Sequence, residues 1–136
     1  MTTEVERPPA LDKTLVQEFV ATAHGDLPRV RELLAQEPQL VNAANDWGGG
    51  DWETGLGGAA HMGRRDIALF LLENGARLDL FAAAMLGYLD IVKSILSTHP
   101  EMRNALGPHT IPLEIHAKAG GPEAAAVLDY LRTLSA

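Results

Sequence analysis

Several residue types that support common kinds of protein chemistry are absent from this sequence or scarce in it. It contains no cysteine, which excludes disulfide bonds, thiolate nucleophiles and zinc sites with sulfur ligands. Aromatic residues make up only 5% of the 136 residues, so a hydrophobic core must be built mainly from aliphatic side chains. Hydrophobic residues nevertheless reach 46%, which is typical of a globular chain rather than a disordered one.

Long hydrophobic runs and basic patches are also missing. The longest apolar run, Leu80–Leu86, is far shorter than the roughly 18 residues that a membrane span needs. Eleven basic residues stand against 18 acidic ones, giving a formal charge of −7. We therefore expect neither nucleic acid nor a membrane as partner. The first residues do not show a basic stretch followed by an apolar one, as a secretory signal would, so we expect a cytoplasmic protein.

What the sequence does contain is helical periodicity. From Thr14 onward, apolar residues recur with i, i+3, i+4 spacing, while the strict alternation typical of strands is nearly absent. Residues 1–12 are polar and include Pro8 and Pro9, and we interpret them as a flexible lead-in. These patterns predict an all-α fold, with a single domain over residues 13–136.

The helical segments also repeat. Small helices end at glycines, and in the first three units a Leu-Leu or Ile-Leu pair follows the glycine after eight and nine residues. The glycines are Gly25, Gly63, Gly87 and Gly120, which lie 38, 24 and 33 residues apart. A period near 33 residues with helix–glycine–helix units indicates a stacked helical repeat.

Three segments carry a more specific likeness. Residues 54–63 read Thr-Gly-Leu-Gly-Gly-Ala-Ala-His-Met-Gly, Ile111-Pro112-Leu113 precedes Gly120, and residues 87–96 read Gly-Tyr-Leu-Asp-Ile-Val-Lys-Ser-Ile-Leu. The chain resembles the ankyrin repeat family over about residues 14–134. That resemblance implies a helical solenoid of about four helix-turn-helix units, acting as a protein-protein interaction module through its concave face.

Two departures from the regular ankyrin pattern concern the loops. The third repeat, from Leu78 to about His99, lacks some ten residues that would form its protruding hairpin, so its helix should begin almost directly at Asp79. The connection between the first and second repeats is lengthened instead. We call residues 45–54 the finger, and we expect an irregular binding face.

The finger holds both tryptophans of the chain, Trp47 and Trp52, beside the carboxylates of Asp51 and Glu53. Exposed tryptophan is a common binding anchor because it offers a large contact area and a polar N–H. Alternatively, Trp52 folds onto the helices and stabilises the finger. The acidic residues favour a partner with basic or aromatic features.

Gly57 and Gly58 stand inside a predicted helix, where each costs about 1 kcal/mol relative to alanine. They would hollow out the helix face beside the finger. The hollow would either form part of a pocket or allow close packing against Phe81.

Histidines are the remaining candidates for chemistry. We expect His61, His109 and His116 to be able to converge, with Glu114 between the last two, yet no metal-binding spacing such as His-Glu-x-x-His occurs. We therefore expect hydrogen-bonded core or capping histidines, and we assign no metal, no cofactor and no catalytic residue.

These observations lead to one functional hypothesis and two alternatives. The expected function is binding of a protein partner. The expected contact residues are Trp47, Asp51, Trp52, Glu53, His61, Phe81 and His109. One alternative is a small-molecule-binding protein or enzyme with a pocket between the two tryptophans and the inner helices, where histidine and carboxylate side chains would act as acid-base groups. The other is docking within a larger assembly through apolar faces of the end helices, over residues 14–20 or 128–134.

Overall fold

The computed structural model describes residues 6–135, and within that range the chain forms eight α-helices and one two-stranded sheet. In chain order the elements are α1 Lys13–Thr22, α2 Leu27–Gln36, β1 Ala44–Asp46, β2 Trp52–Thr54, α3 Gly55–His61, α4 Arg65–Glu73, α5 Leu80–Leu86, α6 Leu89–Thr98, α7 Leu113–Ala119 and α8 Ala125–Leu134. Short 3₁₀ turns cover Pro38–Asn42, Pro100–Asn104, Pro108–Thr110 and Gly121–Ala124. The chain is thus mostly helical, as predicted.

Residues 6–12 form neither helix nor strand, and the rest of the predicted lead-in, residues 1–5, lies outside the described residues. The same holds for residue 136, the last of the predicted domain. None of the helices within residues 6–135 is long and apolar enough to cross a membrane.

The helices pack as consecutive pairs, α1 with α2, α3 with α4, α5 with α6 and α7 with α8. The first helix of each pair also contacts the first helix of the next, so that α1, α3, α5 and α7 form one row. Small residues make this close approach possible, because Ala59, Ala60, Ala83 and Ala84 are all fully buried between these helices. We call this row the inner helices.

Local hydrogen bonds fix where several helices begin. The Asp12 carboxylate accepts the Leu15 N–H at 3.0 Å and starts α1. The Asp79 carboxylate accepts the Ala82 N–H at 2.8 Å and starts α5, so this helix follows a short connection without a hairpin, as predicted. Side-chain acceptors of this kind satisfy N–H groups that the first helical turn leaves free.

The two-stranded sheet corrects the all-α prediction. Strands β1 and β2 pair antiparallel with Ala44 opposite Thr54 and Asp46 opposite Trp52, so most of the finger is a β-hairpin. Its turn is closed by the Asp46 carboxylate, which accepts the N–H groups of Gly48 and Gly50 at 2.9 and 3.0 Å. Strands of three residues are too short to show a recognisable alternation in the sequence.

Two groups of buried side chains form the core. The first lies among α1 to α5 and includes Phe19, Leu33 and Ile67, and the second lies among α5 to α8 and includes Val92 and Leu131. Helix α5 contributes to both groups, so the core continues from one end of the row to the other. The inner helices and the finger that leans on them are therefore held on a packed support.

Candidate functional site

The strand β2 places two of the predicted site residues on opposite faces. Successive side chains of a strand point to opposite sides, and here Glu53 is only 1% exposed while its neighbour Trp52 is 60% exposed. Glu53 faces the inner helices and Trp52 faces solvent. A buried carboxylate is costly unless donors surround it, so its contacts are informative.

Four side chains direct nitrogen atoms at the Glu53 carboxylate. The Trp47 indole N–H donates to Oε1 at 2.9 Å. The His61 Nε2 lies 2.9 Å from Oε2, and the Nε2 atoms of His24 and His109 each lie 3.2 Å from Oε1. We call Glu53 with the three histidines His24, His61 and His109 the Glu53 cluster.

Each histidine of the Glu53 cluster comes from a different part of the chain. His24 follows the end of α1, His61 is the last residue of α3, and His109 lies in the 3₁₀ turn before α7. The rings are close to one another, with centroids of His24 and His61 4.8 Å apart and those of His61 and His109 5.3 Å apart. The cluster therefore joins the first helix pair, the finger, the second pair and the loop before the fourth.

The other ring nitrogen is also engaged in two of the histidines. The His24 Nδ1 lies 2.8 Å from the Val20 carbonyl oxygen. The His109 Nδ1 lies 2.6 Å from Asp51 Oδ2, and the His109 backbone N–H donates to Asp51 Oδ1 at 2.8 Å. Both rings are thus held in orientation from the side away from Glu53.

The surroundings shift the acidities of these groups. Burial by itself would raise the pKa of Glu53, but the contacts with His24, His61 and Trp47 outweigh it and hold that pKa well below its usual range. The hydrogen bond to Glu53 raises the pKa of His24, with burial acting in the opposite direction. The hydrogen bond from the His109 backbone lowers the pKa of Asp51. The cluster thus favours ionised carboxylates that face positive or hydrogen-donating groups.

The two glycines within α3 have distinct surroundings. A Cβ atom added to Gly58 would lie 2.7 Å from the His24 ring, so this glycine makes room for the imidazole. A Cβ atom on Gly57 would meet only ordinary contacts, the nearest being Glu53 Cγ at 3.4 Å. The space expected beside Gly58 is therefore filled by His24, whereas Gly57 lines an open groove together with Phe81.

His116 does not join the other histidines. It is fully buried, its Nδ1 lies 3.0 Å from the Pro112 carbonyl oxygen, and its ring packs against Phe81 with centroids 5.0 Å apart. Its Nε2 has no hydrogen-bond partner among the described residues. Burial lowers the pKa of His116, with the Pro112 hydrogen bond acting in the opposite direction. His116 is thus a neutral core residue, as the hydrogen-bonded core interpretation expected, and its expected convergence with His61 and His109 was wrong.

A second feature lies beside the cluster. An open groove of about 350 Å³ runs between the finger and the loop before α7. Apolar side chains that line it are Trp52, Phe81, Leu106 and Pro108, and Asp51 and Asp79 lie along it as well. We call it the finger groove. Asp51 belongs to both features, because it lines the groove and holds His109.

The predicted contact residues therefore fall into two adjacent groups. In the first group, Trp47, His61 and His109 contact the buried carboxylate of Glu53, and Asp51 contacts His109. In the second group, Trp52 and Phe81 line the finger groove. Glu53 is enclosed, so its carboxylate does not face a partner's surface. The sequence analysis missed His24, and its signal was the unusual glycine at position 58, which a helix tolerates only at a cost.

No protein-family model matches this chain, and no curated protein sequence matches it either.

Proposed function

We propose that the chain is an ankyrin-like protein-interaction module that binds a segment of a partner protein in the finger groove. The observation that carries this proposal is the exposure of two large apolar side chains at the groove, Trp52 at 60% and Leu106 at 58%. Exposed apolar side chains grouped around a depression are typical of binding surfaces, and tryptophan is prominent among the residues that dominate binding energy.

The shape of the finger groove supports a protein segment as occupant. Small-molecule sites are usually enclosed and bury most of their ligand, whereas this groove is largely open to solvent. The alternative of a small-molecule pocket or enzyme has less support for a second reason. The acid-base groups that it would use, in the Glu53 cluster, already have hydrogen-bond partners within the protein.

The chemistry of the groove defines what would bind there. The carboxylate of Asp51 is hydrogen-bonded to His109, and that of Asp79 accepts a hydrogen bond from the N–H of Ala82. The acidic groups along the groove are thus already satisfied. The partner we propose therefore presents an aromatic or aliphatic side chain between Trp52 and Leu106. Basic side chains of the partner would contribute less to binding.

The arrangement of the helices is in keeping with an ankyrin-like module. The inner helices contact one another in sequence order, and the finger meets the loop before α7 where Asp51 contacts His109. The short connection before α5 contributes no hairpin there, and the finger groove lies beside this contact. A partner segment lying in the finger groove would contact Trp52, Phe81 and Leu106 together.

The test is affinity capture from extracts of cells that produce the protein, with Trp52→Ala, Leu106→Ala and the control Ile91→Ala. Ile91 is a large apolar residue of α6 that is 38% exposed and does not line the groove. Truncating an anchor tryptophan typically costs about 2 kcal/mol or more, or at least about 30-fold in affinity. We expect both groove variants to lose a protein that the wild type and Ile91→Ala retain. Equal capture by all four proteins would contradict the proposal.

A further inference from the structure

The Glu53 cluster has the donor set of a metal site. Three imidazole nitrogens and one carboxylate oxygen, from His24, Glu53, His61 and His109, lie within 4.8 Å of one another. Bonds of about 2.0–2.1 Å to a tetrahedral ion would place such atoms about 3.4 Å apart. Side-chain movements of about 1 Å or less would therefore bring all four atoms to bonding distance of one ion.

The outer contacts of the histidines follow the pattern of metal ligands. A histidine that binds a metal through one ring nitrogen usually donates its other N–H to a carboxylate or a backbone carbonyl, which fixes the ring and its tautomer. Here the His24 Nδ1 faces the Val20 carbonyl and the His109 Nδ1 faces Asp51. In both rings this leaves Nε2 as the atom that points into the cluster.

In the neutral state of these rings the same contacts place lone pairs against each other, and an added proton or a metal ion would relieve this. A neutral imidazole carries a single N–H, yet both ring nitrogens of His24 and of His109 face oxygen acceptors. If Nδ1 donates, the Nε2 lone pair of the neutral ring points at the Glu53 oxygen. A metal ion between the three Nε2 atoms and the carboxylate would convert these opposed lone pairs into bonds.

From this geometry we infer that the Glu53 cluster binds one divalent transition-metal ion of the first row. Imidazole nitrogens suit Zn²⁺, Ni²⁺, Cu²⁺ and Fe²⁺, whereas Mg²⁺ and Ca²⁺ prefer a shell of six or more oxygens. With no cysteine in the chain, sulfur ligation is excluded. This inference departs from the sequence-based expectation of no metal, which was made without His24.

The ion would act as a clamp on the finger. Four protein ligands fill a tetrahedral shell, and closed shells of this kind are typical of structural sites. The ligands come from α3, β2 and the loops after α1 and before α7, so one ion would tie the finger to three other parts of the fold. An ion could enter past the His24 and His109 side chains, which are 23% and 33% exposed. The inference is independent of the partner proposed for the finger groove.

The first test is calorimetric titration of Zn²⁺ into chelator-treated protein that carries no affinity tag. The wild type should bind one ion per chain. His61→Ala and His109→Ala should each weaken binding by at least 100-fold. His99→Ala should leave it unchanged, because His99 is exposed and lies outside the cluster. Failure of the wild type to bind one ion, or an equal loss in His99→Ala, would overturn the inference.

Asp51 gives a sharper test as a positioning residue. Asp51→Asn keeps the shape of the side chain but removes the charge that orients His109. Changes to such outer contacts typically weaken metal affinity by 10- to 100-fold, so Zn²⁺ should still bind one to one but less tightly. Unchanged affinity would contradict the arrangement that we infer.

A third measurement does not depend on altering any ligand, in case cluster variants fail to fold. Trp52→Phe leaves Trp47 as the only tryptophan, and the Trp47 indole contacts Glu53 directly. One equivalent of Co²⁺ should then quench the Trp47 fluorescence and produce visible absorption bands of cobalt bound to nitrogen. No quenching after one equivalent would count against a metal in the cluster.

Discussion

Two adjacent glycines of α3 should respond to the same substitution with opposite signs. Alanine at position 58 would place its Cβ 2.7 Å from the His24 Cε1 and 2.8 Å from its Nδ1, so the imidazole must move. Alanine at position 57 would have no contact shorter than 3.4 Å. Both sites are buried in the same helix, so the pair isolates the space that His24 occupies.

The magnitudes follow from helix propensity and from the contacts of His24. Alanine stabilises a helix interior by about 1 kcal/mol relative to glycine. Displacing His24 from Glu53 removes a charge-assisted hydrogen bond worth about 1.5–3 kcal/mol. We therefore expect Gly58→Ala to lower the free energy of unfolding by about 0.5–2 kcal/mol, and Gly57→Ala to raise it by up to about 1 kcal/mol.

Urea unfolding of the wild type and the two variants in a metal-free buffer measures both effects. Gly58→Ala should also weaken Zn²⁺ binding, since His24 is displaced, while Gly57→Ala should leave it close to that of the wild type. If Gly58→Ala stabilised the fold as much as Gly57→Ala, His24 would not be held at Glu53 as described, and the reasoning would be refuted.

Three further predictions concern two glycines at positive φ, the core histidine His116 and the bound metal ion. Gly87→Ala should lower the free energy of unfolding by more than about 2 kcal/mol in urea unfolding, because φ is +81° there and the added Cβ would lie 2.0 Å from the Glu123 carbonyl oxygen. The control Gly75→Ala should lower it by only about 1–2 kcal/mol, because φ is +95° there but the added Cβ would lie in open space. His116 is neutral when folded, and its folded pKa lies below the ordinary 6.5, so the free energy of unfolding should fall as the pH drops below about 6.5. His116→Leu should remove up to about 1.4 kcal/mol of that loss per pH unit, and a difference from wild type that stays constant with pH would contradict this. Free Zn²⁺ at 100 times its dissociation constant should stabilise the fold by about 2.7 kcal/mol in the same assay, and His99→Ala should show an equal gain.

The helices could be predicted from the sequence because each carries its own signal. Apolar spacing marked their buried faces, and the glycines at positions 25, 63 and 87 marked the ends of α1, α3 and α5 to within a few residues. The short connection before α5 could be predicted as well, from the small number of residues between α4 and Asp79. These are local properties of the chain.

The candidate site could be predicted only in part, because it depends on contacts between distant residues. The tryptophans and carboxylates of the finger marked it as a candidate site in the sequence. The inward orientation of Glu53 and the outward orientation of Trp52 could not be predicted, because they depend on the pairing of the two strands. His24 lies 29 residues before Glu53 and reaches it only when α1 packs beside α3. The sequence suggested that His116 could converge with His61 and His109. Only the packing of α7 shows that its ring is buried against Phe81 instead.

The convergence of three histidines on Glu53 around a metal ion is tested most directly by ¹⁵N NMR of the histidine rings, recorded before and after one equivalent of Zn²⁺. The chain has five histidines, so each ring can be followed individually. We predict that the Nε2 signals of His24, His61 and His109 move into the range of zinc-bound nitrogen, while those of His99 and His116 stay in place. A response confined to His99, or no ring response after one equivalent, would contradict the metal site.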